Sequence, residues 1–199
     1  MNARRVVVLF SGGVESTCLL YYYLRRGWLV YPAYVSSGYP WEALELENAI
    51  RLYHHTKERY KNLFPLRVLK TFCPERVGKR SHCSNLFIPL RNLLLLSTVS
   101  AYCLSKGIGK LAIGSLGIYP FPDNNREYMQ RFRELSGLEV LTPFMGLEKH
   151  EVIQKFGSGV PLELTLSCIR PKKVKGSIRH CGDCLKCEER KEAFKHLSL

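Results

Sequence analysis

Apolar positions along the chain alternate between two rhythms. Residues 5–10 are an unbroken apolar run after Arg5, rich in valine, which is the pattern of a strand covered on both faces. Residues 15–26 then follow a helical period, and Gly27 ends it. The alternation repeats: strands at 29–35, 66–71, 110–115 and 139–142, with helices at 41–60, 91–105, 126–135 and 147–156. Between them lie an irregular basic segment at 72–90 and a loop rich in Pro and Asn at 117–125. Strands alternating with helices predict an α/β class: a doubly wound parallel five-stranded sheet. Residues 1–160 are expected to form this domain. Residues 161–199 form a cysteine-bearing extension with a closing helix, packed on it.

The longest apolar-rich stretch, 86–104, is broken by Arg91, Asn92, Ser97, Thr98 and Ser100, so no run approaches the roughly 20 residues that cross a bilayer. The apolar run at the N-terminus is too short for a secretory signal. A cytoplasmic protein without membrane contact is therefore expected. The net charge of +13 suits polyanions such as ATP, pyrophosphate or RNA. A solubility bias explains it equally well.

Chemistry enters at the first strand-to-helix junction. Ser11-Gly12-Gly13 stands between them, followed by Glu15, Ser16 and Thr17. The first amides of a helix lack intrahelical partners and sit at its positive end, and glycines let the backbone approach an anion. The hydroxyls of Ser11, Ser16 and Thr17 add donors. The spacing lacks the Gly-Lys-Ser/Thr of a Walker loop.

Four of the eight cysteines form a second motif: Cys168, then Cys181, Cys184 and Cys187 at intervals of two residues. Four thiolates close a tetrahedral shell, so a structural Zn2+ is expected, with an iron–sulfur cluster as the alternative. Arg170, Lys172, Lys173, Lys175 and Arg179, in the loop between them, are expected to favour the thiolate form. Cys18 and Cys103 read as core residues. Cys73 and Cys83 flank the basic segment as loop cysteines or a redox pair.

The Ser-Gly-Gly loop resembles the S-G-G-x-D-S loop of PP-loop pyrophosphatases, with Glu15 at the family's Asp position. Further segments widen the likeness. Residues 88–92 (Ile-Pro-Leu-Arg-Asn) resemble V-P-G-R-N, with Leu90 in place of glycine. Residues 141–152 resemble the T-P-L-x-x-L-x-K-x-E segment, and 160–168 lead into the cysteine cluster. Together they resemble the 7-cyano-7-deazaguanine synthase family nearly end to end. Phe121-Pro-Asp-Asn-Asn125 departs from the family's Y-P-D-C-R.

This resemblance implies a PP-loop fold, usually homodimeric, that uses ATP and Mg2+. It implies adenylation of 7-carboxy-7-deazaguanine, displacement of AMP by ammonia to give an amide, and a second adenylation that leads to the nitrile. Ser11, Gly12, Gly13, Glu15, Ser16 and Thr17 would hold the nucleotide. Lys149, Arg91 and Glu15 would act in catalysis, and Asp123 and Asn92 would hold the deazaguanine. Three other readings compete: a relative adenylating a different carboxylate, a tRNA sulfurtransferase, and a non-catalytic zinc-stabilised nucleotide- or RNA-binding module. A chain of 199 residues is expected to leave no room for a separate tRNA-binding domain, so tRNA contact is possible but not expected.

Overall fold

A computed structural model describes residues 4–71 and 88–196. Five strands, β1 (Arg5–Leu9), β2 (Leu29–Ser36), β3 (Arg67–Lys70), β4 (Lys110–Ala112) and β5 (Glu139–Leu141), form one parallel sheet in the order β3-β2-β1-β4-β5. The chain winds outward from β1 to one edge, then returns beside β1 and winds to the other. The strand order therefore reverses between β1 and β4, and a crevice opens at their carboxyl ends.

Alternation along β1 divides the core. Val6, Val8 and Phe10 belong to the cluster built with α1 (Val14–Leu24), α2 (Glu42–Arg59) and α5 (Lys149–Phe156). Val7 and Leu9 belong to the cluster on the other face, with α3 (Arg91–Ser105) and α4 (Arg126–Ser136). Burial on both faces is why β1 reads as a continuous apolar run rather than an alternating one. Cys18 and Cys103 are buried in these two clusters, and Tyr21 and Tyr23 are packing residues of the first.

The C-terminal residues join this core. Leu162, in a 3-10 turn (Leu162–Leu164), and Ala193 of α6 (Leu185–Lys195) are buried in the same cluster as α1 and α5. Leu166, Cys168, Cys184 and Cys187 make a small cluster of their own.

The sequence pattern places every expected boundary but the end of β4 within about two residues. β4 and β5 are shorter than expected, and α5 starts at Lys149 rather than residue 147. The start is set by a reciprocal capping box between Glu148 and Glu151. An antiparallel hairpin, β6 (Lys172–Val174) with β7 (Ser177–Arg179), lies in the basic loop where no strand was expected. Its turn places Lys175 and Gly176 at φ 47° and 77°, as a two-residue hairpin loop of the I′ type requires. The expectations for residues 72–87, including Cys73 and Cys83, lie outside the described residues. No described helix is long and apolar enough to cross a membrane.

Candidate active site and metal centre

A cavity of about 480 Å³ occupies the reversal point of the sheet. Its floor is Leu9–Ser11 after β1 and 113–115 after β4, and residues from α2, α3 and the C-terminal segment wall it in.

The glycine loop forms one end. Gly12 takes φ 76°, and a side chain there would press on the α2 backbone, 3.1 Å from the Ala49 Cα. Only glycine meets both demands. Gly13 is the N-cap of α1 and provides no side-chain cap, so the first-turn amides keep their donors for an outside acceptor. The serines organise the turn. The Ser11 hydroxyl accepts from the Gly13 amide at 3.4 Å and lies 3.3 Å from the Ser16 hydroxyl, which donates to the Gly13 carbonyl at 3.1 Å.

Ser11, Gly13, Glu15 and Ser16 line the cavity. Gly12 and Thr17 support it from behind. Thr17 is fully buried and donates to the Gly13 carbonyl at 2.7 Å.

Lys149 enters from the first turn of α5. It is only 6% exposed, and its ammonium lies 3.1 Å from Glu15 and 3.2 Å from Glu189 of α6. Burial works against the charge. The two carboxylates outweigh it and hold the ammonium above its usual range. Burial likewise opposes the Glu189 charge, but Lys186 and Lys149 bring that carboxyl below its usual range. Lys186, 3.0 Å from Glu189 and 5.2 Å from the centroid of the Tyr119 ring, extends the network along the cavity wall.

Arg91, Asn92, Asp123 and Asn124 form the opposite wall. Asp123 and Asn92 engage each other: the Asp123 carboxylate accepts from the Asn92 amide at 2.9 Å, and the Asn92 side chain donates to the Asp123 carbonyl at 2.7 Å. Asp123 thus caps α3 from a distant loop, with its negative charge at the positive helix end. Leu90, the N-cap of that helix, takes a left-handed conformation at φ 56°, which L-residues other than glycine resist. The two asparagines of the Pro-Asp-Asn-Asn loop part ways. Asn124 is buried at the cavity, where its side chain accepts from the Ser115 hydroxyl. Asn125 is exposed and caps α4, accepting from the Tyr128 amide at 2.8 Å.

Among the residues that escaped the sequence reading are Glu45 and Ser167, which line the cavity, and Glu189, which holds Lys149. Glu45 accepts from the Tyr34 hydroxyl at 2.8 Å. Burial raises its pKa, against the pull of Arg91 and the Tyr34 bond. The signal available for each was one acid or serine on a helix or loop remote from the others, which no spacing rule isolates.

The four cysteines converge beside the cavity, their sulfurs all within 4.8 Å of one another, an arrangement suited to a single metal ion. Neighbouring sulfurs lie 3.5 Å (Cys168–Cys181 and Cys184–Cys187), 3.8 Å (Cys181–Cys187) and 3.9 Å (Cys168–Cys184) apart. Cys184 caps α6 and Cys187 lies in its first turn, so the helix's positive end faces both thiols.

The amides of Arg170 and Cys181 point at the Cys168 sulfur, each at 3.3 Å. Burial raises the Cys184 thiol, but the amides of Ile169 and Cys187 outweigh that and bring it to about 7. At Cys184 backbone amides thus do what was expected of the basic loop, whereas burial holds the Cys168 and Cys187 thiols above their usual range. Two of the loop's side chains face acids, Lys173 meeting Glu47 at 2.8 Å and Arg170 meeting Asp183 at 3.3 Å. His180 stays outside the sulfur cluster. Burial, helped by Arg190, depresses its pKa to about 4, and its Nε2 accepts from the Ser167 amide at 3.1 Å.

Known proteins fit this arrangement. The chain is 30% identical over 210 residues to 7-cyano-7-deazaguanine synthase 1 of Desulfitobacterium hafniense, covering 98% of this chain and 93% of the relative. It is 31% identical over 214 residues to the 7-cyano-7-deazaguanine synthase of Caldicellulosiruptor bescii, covering 98% and 94%. Among solved structures, a 4-thiouridine synthetase in complex with RNA and with bound ATP matches with a TM-score of 0.50 at 15% identity, over 98% of this chain and 50% of that one. That likeness is one of fold. The profile described as "Queuosine biosynthesis protein QueC" matches residues 5–198, and the chain belongs to that family.

Proposed function

We propose that the chain converts 7-carboxy-7-deazaguanine and ammonia to 7-cyano-7-deazaguanine at the expense of ATP, releasing AMP and pyrophosphate. The observation that carries the reading is the uncapped start of α1, opening into the cavity at the sheet's reversal point with the Lys149 ammonium beside it. Donors and a buried positive charge meet there, which suits the polyphosphate of a nucleotide. The names of the curated relatives supply the acceptor.

In this reading the amides of 13–16 and the Ser11 hydroxyl hold the β,γ-phosphates. Lys149 offsets charge developing on the departing pyrophosphate. Glu15, one of the two carboxylates on Lys149, would contribute a carboxylate to hold Mg2+, which would supply positive charge to offset that of the phosphates. The Arg91, Asn92 and Asp123 wall receives the deazaguanine, with Glu45 a second acid facing it. Attaching AMP to the carboxylate oxygen turns a poor leaving group into a good one, so ammonia can displace it. The same activation of the amide oxygen then allows loss of AMP and formation of the nitrile. Two ATP are consumed for each nitrile.

The cysteine cluster is read as a structural Zn2+ site in a C-terminal extension, residues 161–199. A tetrahedral shell at about 2.3 Å spaces sulfurs about 3.8 Å apart, in line with the 3.5–3.9 Å separations of the four neighbouring pairs here. A four-iron cluster would put its own core between the thiolates and spread them further. A cytoplasmic homodimer is the setting this reading expects.

The test is turnover with ATP, Mg2+, ammonium and 7-carboxy-7-deazaguanine, read by mass spectrometry. Nitrile with two AMP per product is expected. AMP without nitrile would mean a different carboxylate, and neither product from folded, metal-loaded protein would overturn the reading.

A further inference from the structure

Ser167 sits where the cysteine module meets the glycine loop. Its side chain is only 9% exposed, yet its hydroxyl has no hydrogen-bond partner among the described residues. Buried polar groups are nearly always paired, so an orphan at a cavity wall points to a partner that arrives with a ligand. The residue lines the same cavity as Gly13 and Ser16. A Cβ placed on Gly13 would stand 3.6 Å from the Ser167 hydroxyl oxygen.

Both ends of the segment are anchored. The Leu166 amide donates to the Gly12 carbonyl at 2.9 Å, and the Ser167 amide donates to His180 at 3.1 Å. The hydroxyl is thus held against the uncapped start of α1, an eleven-residue helix. The cavity it lines also carries donors: the first-turn amides of α1, the Ser11 and Ser16 hydroxyls and, further along, Lys149. Glu15, an acid lining the same cavity, is paired with Lys149. Such surroundings select an anionic oxygen.

We propose that Ser167 is a further phosphate-binding residue, its hydroxyl donating to a phosphoryl oxygen held at the start of α1. This rests on the phosphate-cradle reading above. It gives the C-terminal module a part in nucleotide binding: the segment that carries Cys168 also completes the cradle. A serine hydroxyl turns about a single bond, so it needs no backbone movement to reach the incoming oxygen.

Calorimetric titration of the metal-loaded protein with MgATP, and separately with inorganic pyrophosphate, tests this. Ser167→Ala is expected to bind both about tenfold or more weakly, since a hydrogen bond to a charged acceptor is lost. Its melting temperature and metal content stay at or above wild type, because the hydroxyl removed was unpaired. Ser167→Thr keeps the hydroxyl and is expected to bind within about threefold of wild type. Wild-type affinity in the Ala variant would overturn the proposal, as would a Thr variant as weak as the Ala one. A loss of affinity accompanied by lower melting temperature and metal content would make the role structural. Wild-type protein that binds neither probe would instead remove the cradle reading, and Ser167 with it.

Discussion

The Lys149 ammonium lies 3.1 Å from the Glu15 carboxylate, joining the first turn of α5 to the first turn of α1 at the mouth of the phosphate cradle. Glu189 holds the same ammonium from the other side at 3.2 Å. Removing the lysine leaves two part-buried carboxylates facing each other. Lys149→Ala should therefore lose about 3 kcal/mol of stability as well as turnover. Glu189→Gln keeps the shape and removes one charge. Its nucleotide KM should change little while the stability drop is smaller, as thermal unfolding and initial rates would reveal.

The same cluster sets a pH window. Glu189 titrates below the usual 4.5 in the folded chain, so its stabilisation is full above 4.5 and is lost as pH falls through the folded value. Lys149 titrates above 10.5, so its stabilisation is full below 10.5 and is lost as pH rises through the folded value. Between these limits the cluster contributes a plateau. Melting temperatures measured from about pH 3 to 7 should fall on the acid side in wild type and fall less steeply in Glu189→Gln. Parallel acid limbs in the two proteins would contradict the assignment.

Leu90 occupies a left-handed conformation at φ 56° and is 58% exposed, so its side chain gains little from burial. The family pattern has glycine there. Leu90→Gly should relieve strain and stabilise the chain by about 1 kcal/mol. For a chain of this size that is a rise of about 2–4 °C in melting temperature. An unchanged or lower value would show that the surrounding loop compensates.

How much of this was legible beforehand follows from locality. β1 and its Ser-Gly-Gly turn were readable because a strand buried on both faces is a continuous apolar run, and glycine punctuates it. The cysteine cluster was readable because three of its four cysteines recur every third residue. The second partner of Lys149 was not, because Glu189 comes from a helix 40 residues away whose acids look like any solvated helix face. Asp123 read as a loop residue or a base-binding acid, and its bond to the Asn92 amide spans 31 residues. The β6–β7 hairpin was hidden because its strands are exposed and basic, with a lysine at φ 47° where asparagine would have signalled the turn.

Cys184 and Cys187 lie at the start of α6, which also carries Glu189 and packs on α5. Loss of the metal should therefore loosen the Lys149 cluster as well as the hairpin. Cys184→Ser is expected to lower bound zinc below half an equivalent and reduce stability by roughly 2–4 kcal/mol. Elemental analysis with thermal unfolding decides it. A variant that keeps a full equivalent of metal would remove Cys184 from the ligand set.

Gly12 and Gly13 are adjacent, yet their substitution should have different consequences. Gly12→Ala forces φ 76° on an L-residue and drives a methyl against the Ala49 backbone at 3.1 Å, so it should cost about 1–3 kcal/mol of stability. Gly13 has φ −75°, which alanine adopts freely, and its nearest neighbours would be the Ser11 and Ser167 hydroxyls at 3.5 and 3.6 Å. Those are ordinary contacts, but they lie where the cradle must admit an anion. Gly13→Ala should therefore fold with near wild-type stability and bind pyrophosphate at least tenfold more weakly, since a methyl now stands between the helix amides and the phosphate. Normal pyrophosphate affinity in a folded Gly13→Ala protein would place the polyphosphate elsewhere in the cavity.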